Sequence, residues 1–141
     1  MKMRCVAHGD TPLFSRQAVG FEGIYSVTFD GRVYSHSRVD SRGNRRNGKW
    51  LKPIISNCGY LRIHTCVNAE RKKIMIHRIV AFAFIENTRM LNEINHIDGN
   101  KQNNSMSNLE WCTPSENFIH ALRTGLVENI RDKSTGRFVR H

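Results

Sequence analysis

At 141 residues, 39% of them hydrophobic and with a mean hydropathy of −0.50, the chain makes one thin-cored domain or a small unit with an attachment. Its formal charge of +10 and pI near 10.0 favour polyanionic partners. The longest wholly apolar run, residues 79–85, is too short to span a bilayer; no basic amphipathic helix stands out, and the N-terminal MKMRCVAHGD lacks the apolar core of a signal peptide, so the expectation is a cytoplasmic protein with no membrane partner.

Residues 1–19 show little periodicity and read as an extended or loosely attached lead. Residues 24–29 and 32–35 are β-prone and flank Asp30-Gly31, a strong hairpin signal. Residues 36–52 carry Arg38, Arg42, Arg45, Arg46, Lys49 and Lys52 against one acid, Asp40, with Gly43 and Gly48 marking a loop. Such a run is either a solvated segment or a phosphate-contacting one. Residues 50–55 and 60–67 read as two strands joined through Asn57-Cys58-Gly59, with Tyr60, Arg62 and His64 on one face and Leu61, Ile63 and Thr65 on the other. Residues 70–73 read as a charged turn. A helix follows over about 76–86, its stripe of Ile76, Ile79, Val80, Ala83 and Phe84 directed at the core.

The stretch EINHIDGNKQNNSMSNLEWCTPSENFIHAL is different in kind. Short apolar pieces at 94–97 and 109–112 flank a loop in which eight of the eleven residues 98–108 are Asp, Gly, Asn or Ser, types that favour turns. Thr113, Pro114 and Glu116 spell a capping box with proline at the first helical position. Phe118, Ala121 and Leu122 then form an apolar face, and Gly125 supplies the stop. The local reading is strand, loop, strand, helix. It places His96 at a strand end and Asn117 in the first helical turn. An imidazole beside amide oxygens could hold a water and a hard, oxygen-seeking ion, but spacing alone leaves this no better than an ordinary Asn-rich loop.

Four cysteines, Cys5, Cys58, Cys66 and Cys112, form no CxxC pair and read as free thiols. A zinc site from Cys5, His8, Cys58 and Cys66 has irregular spacing and stays open. The tail after Gly125, with Arg131, Lys133, Arg137 and Arg140, reads as an unstructured end or a basic arm.

The segment 76–125 resembles the HNH homing-endonuclease family of phages and group I introns. The likeness rests on His77-Arg78-Ile79-Val80-Ala81, Asn95-His96-Ile97-Asp98-Gly99-Asn100-Lys101, Asn104, Asn108-Leu109-Glu110-Trp111 and Ser115-Glu116-Asn117. A weaker likeness over residues 18–65, carried by Gly20-Phe21-Glu22-Gly23-Ile24-Tyr25-Ser26-Val27 and Gly31-Arg32-Val33-Tyr34-Ser35, is to the small module often found ahead of HNH domains. The resemblance implies an α+β protein: a small β-rich N-terminal region, then a ββα-metal nuclease core. It divides the chain into a basic DNA-binding module (18–67), the nuclease domain (74–125) and a basic tail (126–141). By it, His96 is the general base, Asn108 holds the loop and the His, and Asn95 and Asn117 ligate one divalent ion, Mg²⁺ or Mn²⁺. The position of Asn95 is often Asp in the family, so both implied ligands here are neutral.

The expected partner is double-stranded DNA, touched by Arg38, Arg42, Arg45, Arg46, Lys49, Arg78 and Lys101, with no small-molecule cofactor and the oligomeric state open. The expected reaction is phosphodiester hydrolysis, in the host cytoplasm if the chain is phage-encoded. The rival is a non-catalytic DNA-binding protein with a relic motif. An RNA-binding module would need clustered stacking aromatics, which the chain lacks.

Overall fold

Asp30-Gly31 nucleates the first hairpin of the structure, a computed structural model that describes residues 12, 14–67 and 70–126. Strand β2 (Tyr25–Thr28) turns back into β3 (Val33–Ser35), with Val27 opposite Val33 and Gly31 at φ +87° in the turn. A short strand β1 (Ser15–Gln17) adds to the outer edge of β2. Three residues without alternation carry no strand signal, which is why the sequence reads them as a lead.

The basic stretch 36–52 is more ordered than the loop expected of it. β4 (Arg38–Val39) and β5 (Arg45–Arg46) pair as a small hairpin. Asp40 builds its turn by accepting from the backbone N–H groups of Arg42 at 3.0 Å and Asn44 at 2.9 Å, with Gly43 at φ +81°. The strand expected over 50–55 is also two pieces. β6 (Lys49–Trp50) pairs with β3 and completes a four-stranded antiparallel sheet, whereas β7 (Ile54–Ile55) pairs with β8 (Leu61–Val67) in another. Pro53 between them has no N–H to donate to a ladder.

Residues 70–73 do not form a turn. They open β9 (Glu70–Met75), paired with β8 from Val67↔Glu70 to Arg62↔Met75. β9 is the edge of its sheet, where charged side chains reach water and discourage further pairing. The alternation along β8 is as expected, with Ile63 and Thr65 buried and His64 exposed.

Helix α1 (Ile76–Phe84) follows β9 directly and buries Ile76, Ile79, Val80, Ala81 and Ala83. It packs against β1, β2, β8, β9, β10 and β11 at once. At its C-terminal end Arg16 donates to the Ala83 carbonyl at 2.8 Å and lies over the Phe84 ring, a cation where the helix dipole favours one. β10 (Glu93–His96) and β11 (Leu109–Cys112) form the second hairpin, and α2 (Pro114–Arg123) crosses it. Both halves of the capping box are present: Glu116 N–H donates to the Thr113 hydroxyl at 3.2 Å, and Thr113 N–H to the Glu116 carboxylate at 2.7 Å. The apolar face expected of α2 is only partly used, because Phe118 stays half exposed while Ala121 and Leu122 are partly buried.

Val27, Val33, Ile63, Ile76, Ile79, Val80 and Leu109 belong to one buried cluster. That core draws on both sides of the division at 67–74, which itself falls on the β8–β9 hairpin. No helix among the described residues is long and apolar enough to cross a membrane.

Candidate active site

His96 is the last residue of β10, opposite Leu109 of β11, and only 5% exposed. The loop beyond it is a net of amide and carboxylate bonds. Gly99 N–H donates to the His96 carbonyl at 2.9 Å, with Gly99 at φ +73°. Asp98 uses both oxygens inside the loop: one accepts from Asn100 N–H and the Asn108 amide, each at 2.8 Å, and the other from the Asn103 amide at 2.7 Å. These bonds, that from Asn103 foremost, hold the Asp98 carboxyl below its usual range. Asn108, buried in a 3₁₀ turn (Met106–Asn108), also donates to the Asn103 carbonyl at 2.9 Å and accepts from Asp98 N–H at 3.0 Å. Asn108 thus staples both ends of the loop together.

The residue that touches the imidazole is Asn104, 4% exposed, whose side-chain oxygen lies 3.1 Å from His96 Nε2. The Asn104 amide nitrogen faces the Gln102 carbonyl at 3.4 Å, so its oxygen is the atom left for the ring. An amide oxygen only accepts, so His96 Nε2 carries the hydrogen and Nδ1 carries the lone pair. Sequence reading assigns the aim of His96 to Asn108 and no role to Asn104; an Asn-rich loop does not say which of its amides meets the ring.

Two further rings close on His96. His77, from the first turn of α1, stands 5.3 Å away centroid to centroid, and Tyr60, the residue just before β8, 5.7 Å. Tyr60 and His77 touch each other at 5.0 Å. Burial, then the neighbouring His96 and Arg78, lowers the His77 pKa to about 4. Its Nδ1 is buried with no hydrogen-bond partner among the described residues. Burial also lowers the His96 pKa below the usual histidine value, opposed by the Asn104 bond and Asp98 and assisted by Lys101. His96 is therefore neutral at pH 7.

Asn95 precedes His96 at the end of β10 and is likewise buried. Its amide nitrogen donates to Glu110, its cross-strand partner, at 2.8 Å. Asn117, in the first turn of α2, donates to Glu93 at 2.8 Å in the same way. Each amide has its nitrogen fixed by a carboxylate, which leaves its oxygen as the free donor atom. Two neutral oxygens with two carboxylates behind them fit a hard ion that keeps most of its water. No group of three His, Cys, Asp or Glu side chains among the described residues is placed to hold a metal by itself. Cys58 and Cys66 are exposed free thiols, while Cys5 and His8 lie outside the described residues, as does the tail beyond 126.

The basic residues divide. Arg42, Arg45 and Lys49 are exposed, and their side chains make no hydrogen bond or ion pair with other described residues. Arg46 pairs with Asp40 at 3.0 Å. Arg38 is turned inward, donating to Ser35 Oγ at 2.9 Å and lying over the Tyr25 ring. Arg78 donates to the Asn92 carbonyl at 3.3 Å and so ties α1 to the entry of β10. Lys101 donates to the Cys58 carbonyl at 3.1 Å and sits 4.8 Å over the Tyr60 ring.

A buried imidazole at the end of a short hairpin, a stapled Asn loop and a crossing helix are the parts of a ββα nuclease site. The HNH endonuclease family matches residues 91–118, and the NUMOD4 motif matches residues 16–66. The chain is 47% identical over 100 residues to Uncharacterized HNH endonuclease L245 of Acanthamoeba polyphaga mimivirus, covering 71% of this chain and 28% of that one. It is 36% identical over 108 residues to DNA endonuclease I-HmuI of Bacillus phage SP01, covering 77% of this chain and 57% of the relative. A solved structure showing DNA binding and cleavage by the HNH homing endonuclease I-HmuI superposes with a TM-score of 0.67 at 32% identity, over 82% of this chain and 62% of that one. The chain carries an HNH endonuclease domain preceded by a NUMOD4 motif, in the fold of I-HmuI. It spans little more than half the length of I-HmuI, and about a quarter of the mimivirus protein.

Proposed function

We propose that the chain is a metal-dependent DNA endonuclease that hydrolyses phosphodiester bonds. The observation that carries this reading is the state of His96: neutral, with Nε2–H held by Asn104 and the Nδ1 lone pair free of any bond to the described residues. Nδ1 takes a proton from water as that water attacks phosphorus in line. Asn95 and Asn117 would hold one divalent ion, Mg²⁺ or Mn²⁺, through their side-chain oxygens, and when bound it would supply charge stabilisation for the transition state and the leaving 3′ oxygen. Glu110 and Glu93 fix the two amides from behind. The loop staple by Asn108 keeps the strand end in place. Arg42, Arg45 and Lys49 contact phosphates of double-stranded DNA and position the protein without reading bases.

The test is nicking of supercoiled plasmid with Mg²⁺, with EDTA, and with His96→Ala. The parent should cut only with the metal. His96→Ala should lose about 10²–10⁴-fold in rate while its affinity for DNA, measured in EDTA, stays within about twofold because the imidazole makes no phosphate contact in this mechanism. A parent that binds duplex DNA and never cuts it would make the chain a DNA-binding protein with a relic motif.

A further inference from the structure

The turn at residues 29–31 belongs to the N-terminal sheet, yet it rests on the loop that holds His96. Met106 N–H donates to the Phe29 carbonyl at 2.8 Å. A Cβ added at Gly31 would lie 2.9 Å from Asn104 Cβ and 3.1 Å from the Asn104 carbonyl oxygen, so the backbone of the turn closes directly on Asn104. The turn is itself stiff. The Thr28 hydroxyl bonds the Asp30 carboxylate and accepts from Arg32 N–H at 3.0 Å, and Arg32 bonds Asp30 at 2.9 Å. Asn104, buried between this turn and the ring, contacts His96 through its side chain.

We infer that the turn at residues 29–31 is a positioning element for His96, acting through Asn104: it fixes the side-chain oxygen that selects the Nε2–H form of the ring. This rests on the reading of His96 as the base of a nuclease. A residue in contact with Asn104 from the far side has no reach to substrate through it, so the turn positions and does not take part in the reaction. The consequence is that the NUMOD4 portion contributes to the rate of cleavage as well as to contact with DNA. A ring free to exchange tautomers would present a lone pair toward the substrate for only part of the time, and a small misplacement of a base costs rate far more than it costs binding.

Gly31→Ala tests this against Gly20→Ala, which has the same kind of backbone, φ +80° against +87°, but meets nothing within 4 Å of the added Cβ. Both variants carry the left-handed backbone strain; only the first presses on Asn104. The readouts are kcat and KM for plasmid nicking, DNA affinity in EDTA, and ¹H–¹⁵N spectra of imidazole-labelled protein at one pH. Such spectra separate the nitrogen that bears hydrogen from the one with the lone pair.

Gly31→Ala should lower kcat about 10- to 100-fold with KM and DNA affinity within about twofold, and His96 should show both tautomers. Gly20→Ala should match the parent in both readouts. Asn104→Leu should give the same mixed tautomer, and Asn104→Asp, which keeps an acceptor, should restore the Nε2–H form. Should Gly31→Ala not fold, Thr28→Val loosens the same turn without touching Asn104 and should move the same two readouts in the same direction.

Equal behaviour of Gly31→Ala and Gly20→Ala, or an unchanged His96 tautomer in Gly31→Ala or Thr28→Val, would overturn the inference. The spectra need no cleavage. If His96→Ala cuts like the parent, the nuclease reading fails whatever the spectra show; if His96→Ala is dead but the turn variants are normal, only the positioning role fails.

Discussion

Asn95 stands where the family often has Asp, and the cross-strand partner explains what a neutral residue does there. Glu110 accepts a bond from the Asn95 amide at 2.8 Å. A carboxylate at position 95 would face another carboxylate directly across the ladder, a pairing that destabilises by roughly 0.2–1 kcal/mol unless a cation lies between. Asn95→Asp should therefore melt lower than the parent in EDTA, and Mg²⁺ should raise its melting temperature more than it raises the parent's; Glu110→Gln added to it should remove the penalty in EDTA. Calorimetry with and without Mg²⁺ decides, and a variant that melts like the parent in EDTA would show that the two side chains do not meet. His77 makes a second prediction at the same scale. Its pKa is lowered to about 4 by burial, so the folded state holds fewer protons than the unfolded state between about pH 6.5 and 4. Stability contributed by the neutral ring is whole above the unfolded pKa and falls as the pH drops through that window, by roughly 3 kcal/mol in all. The stability held by the ionised Asp98 carboxyl begins to go as the pH falls through the ordinary carboxylate range and is lost in full only below it. Urea midpoints from pH 7 to 4 should thus fall less steeply for His77→Phe than for the parent.

At the scale of elements, the β4–β5 hairpin is the exposed basic feature of the N-terminal part. Its turn is organised by Asp40, which also engages Arg46, leaving Arg42 and Arg45 with Lys49 of β6 open to solvent. Binding to DNA should weaken steeply with salt through counterion release. Neutralising Arg42, Arg45 and Lys49 together should reduce the slope of log K against log[salt] by up to about 0.9 for each phosphate left without its cation. Arg38→Ala should behave differently, since its guanidinium packs on Tyr25 and Ser35: melting temperature should drop more than the slope changes. Fluorescence anisotropy on a duplex at several salt concentrations separates the two. A parental slope in the triple variant would place the DNA on another face.

At the scale of the molecule, the NUMOD4 portion and the HNH portion share one core. α1 buries Ile79 and Val80 in the same cluster as Val27 and Val33 of the first hairpin and Leu109 of β11. A fragment of residues 74–125 would expose that face of α1 and remove Tyr60, the Cys58 carbonyl and the turn at 29–31 from around His96. Burying a Val or Ile is worth roughly 1.5–3 kcal/mol each, a large part of the net stability of a chain this size. The fragment should show no cooperative thermal transition, while residues 12–126 should unfold in one. A fragment that melts cooperatively and keeps the nicking rate would show that the two portions are independent.

Local chemistry made the β10–β11 hairpin, its Asn-rich loop and the start of α2 legible in the sequence, because turn residues, a capping box and a proline at the first helical position act within a few residues of themselves. The same locality made Asp30-Gly31 a hairpin and put Ile76, Ile79 and Val80 on one stripe. Where order depends on a partner strand, the sequence is silent or misleading: β1, the β4–β5 hairpin and charged β9 form because a neighbouring backbone is there to pair with. The site divides in the same way. His96, Asn95, Asn108 and Asn117 draw their roles from the motif, whereas His77 and Asn104 carry the likeness without a role and join Tyr60 and Gly31 in one environment only when α1 and two sheets pack together. The His96–Asn104 bond spans 8 residues, whereas the contact from Gly31 to Asn104 joins positions far apart in the chain. Periodicity and propensity carry no information about which distant turn lands on which amide; side-chain volume and the shared core decide it.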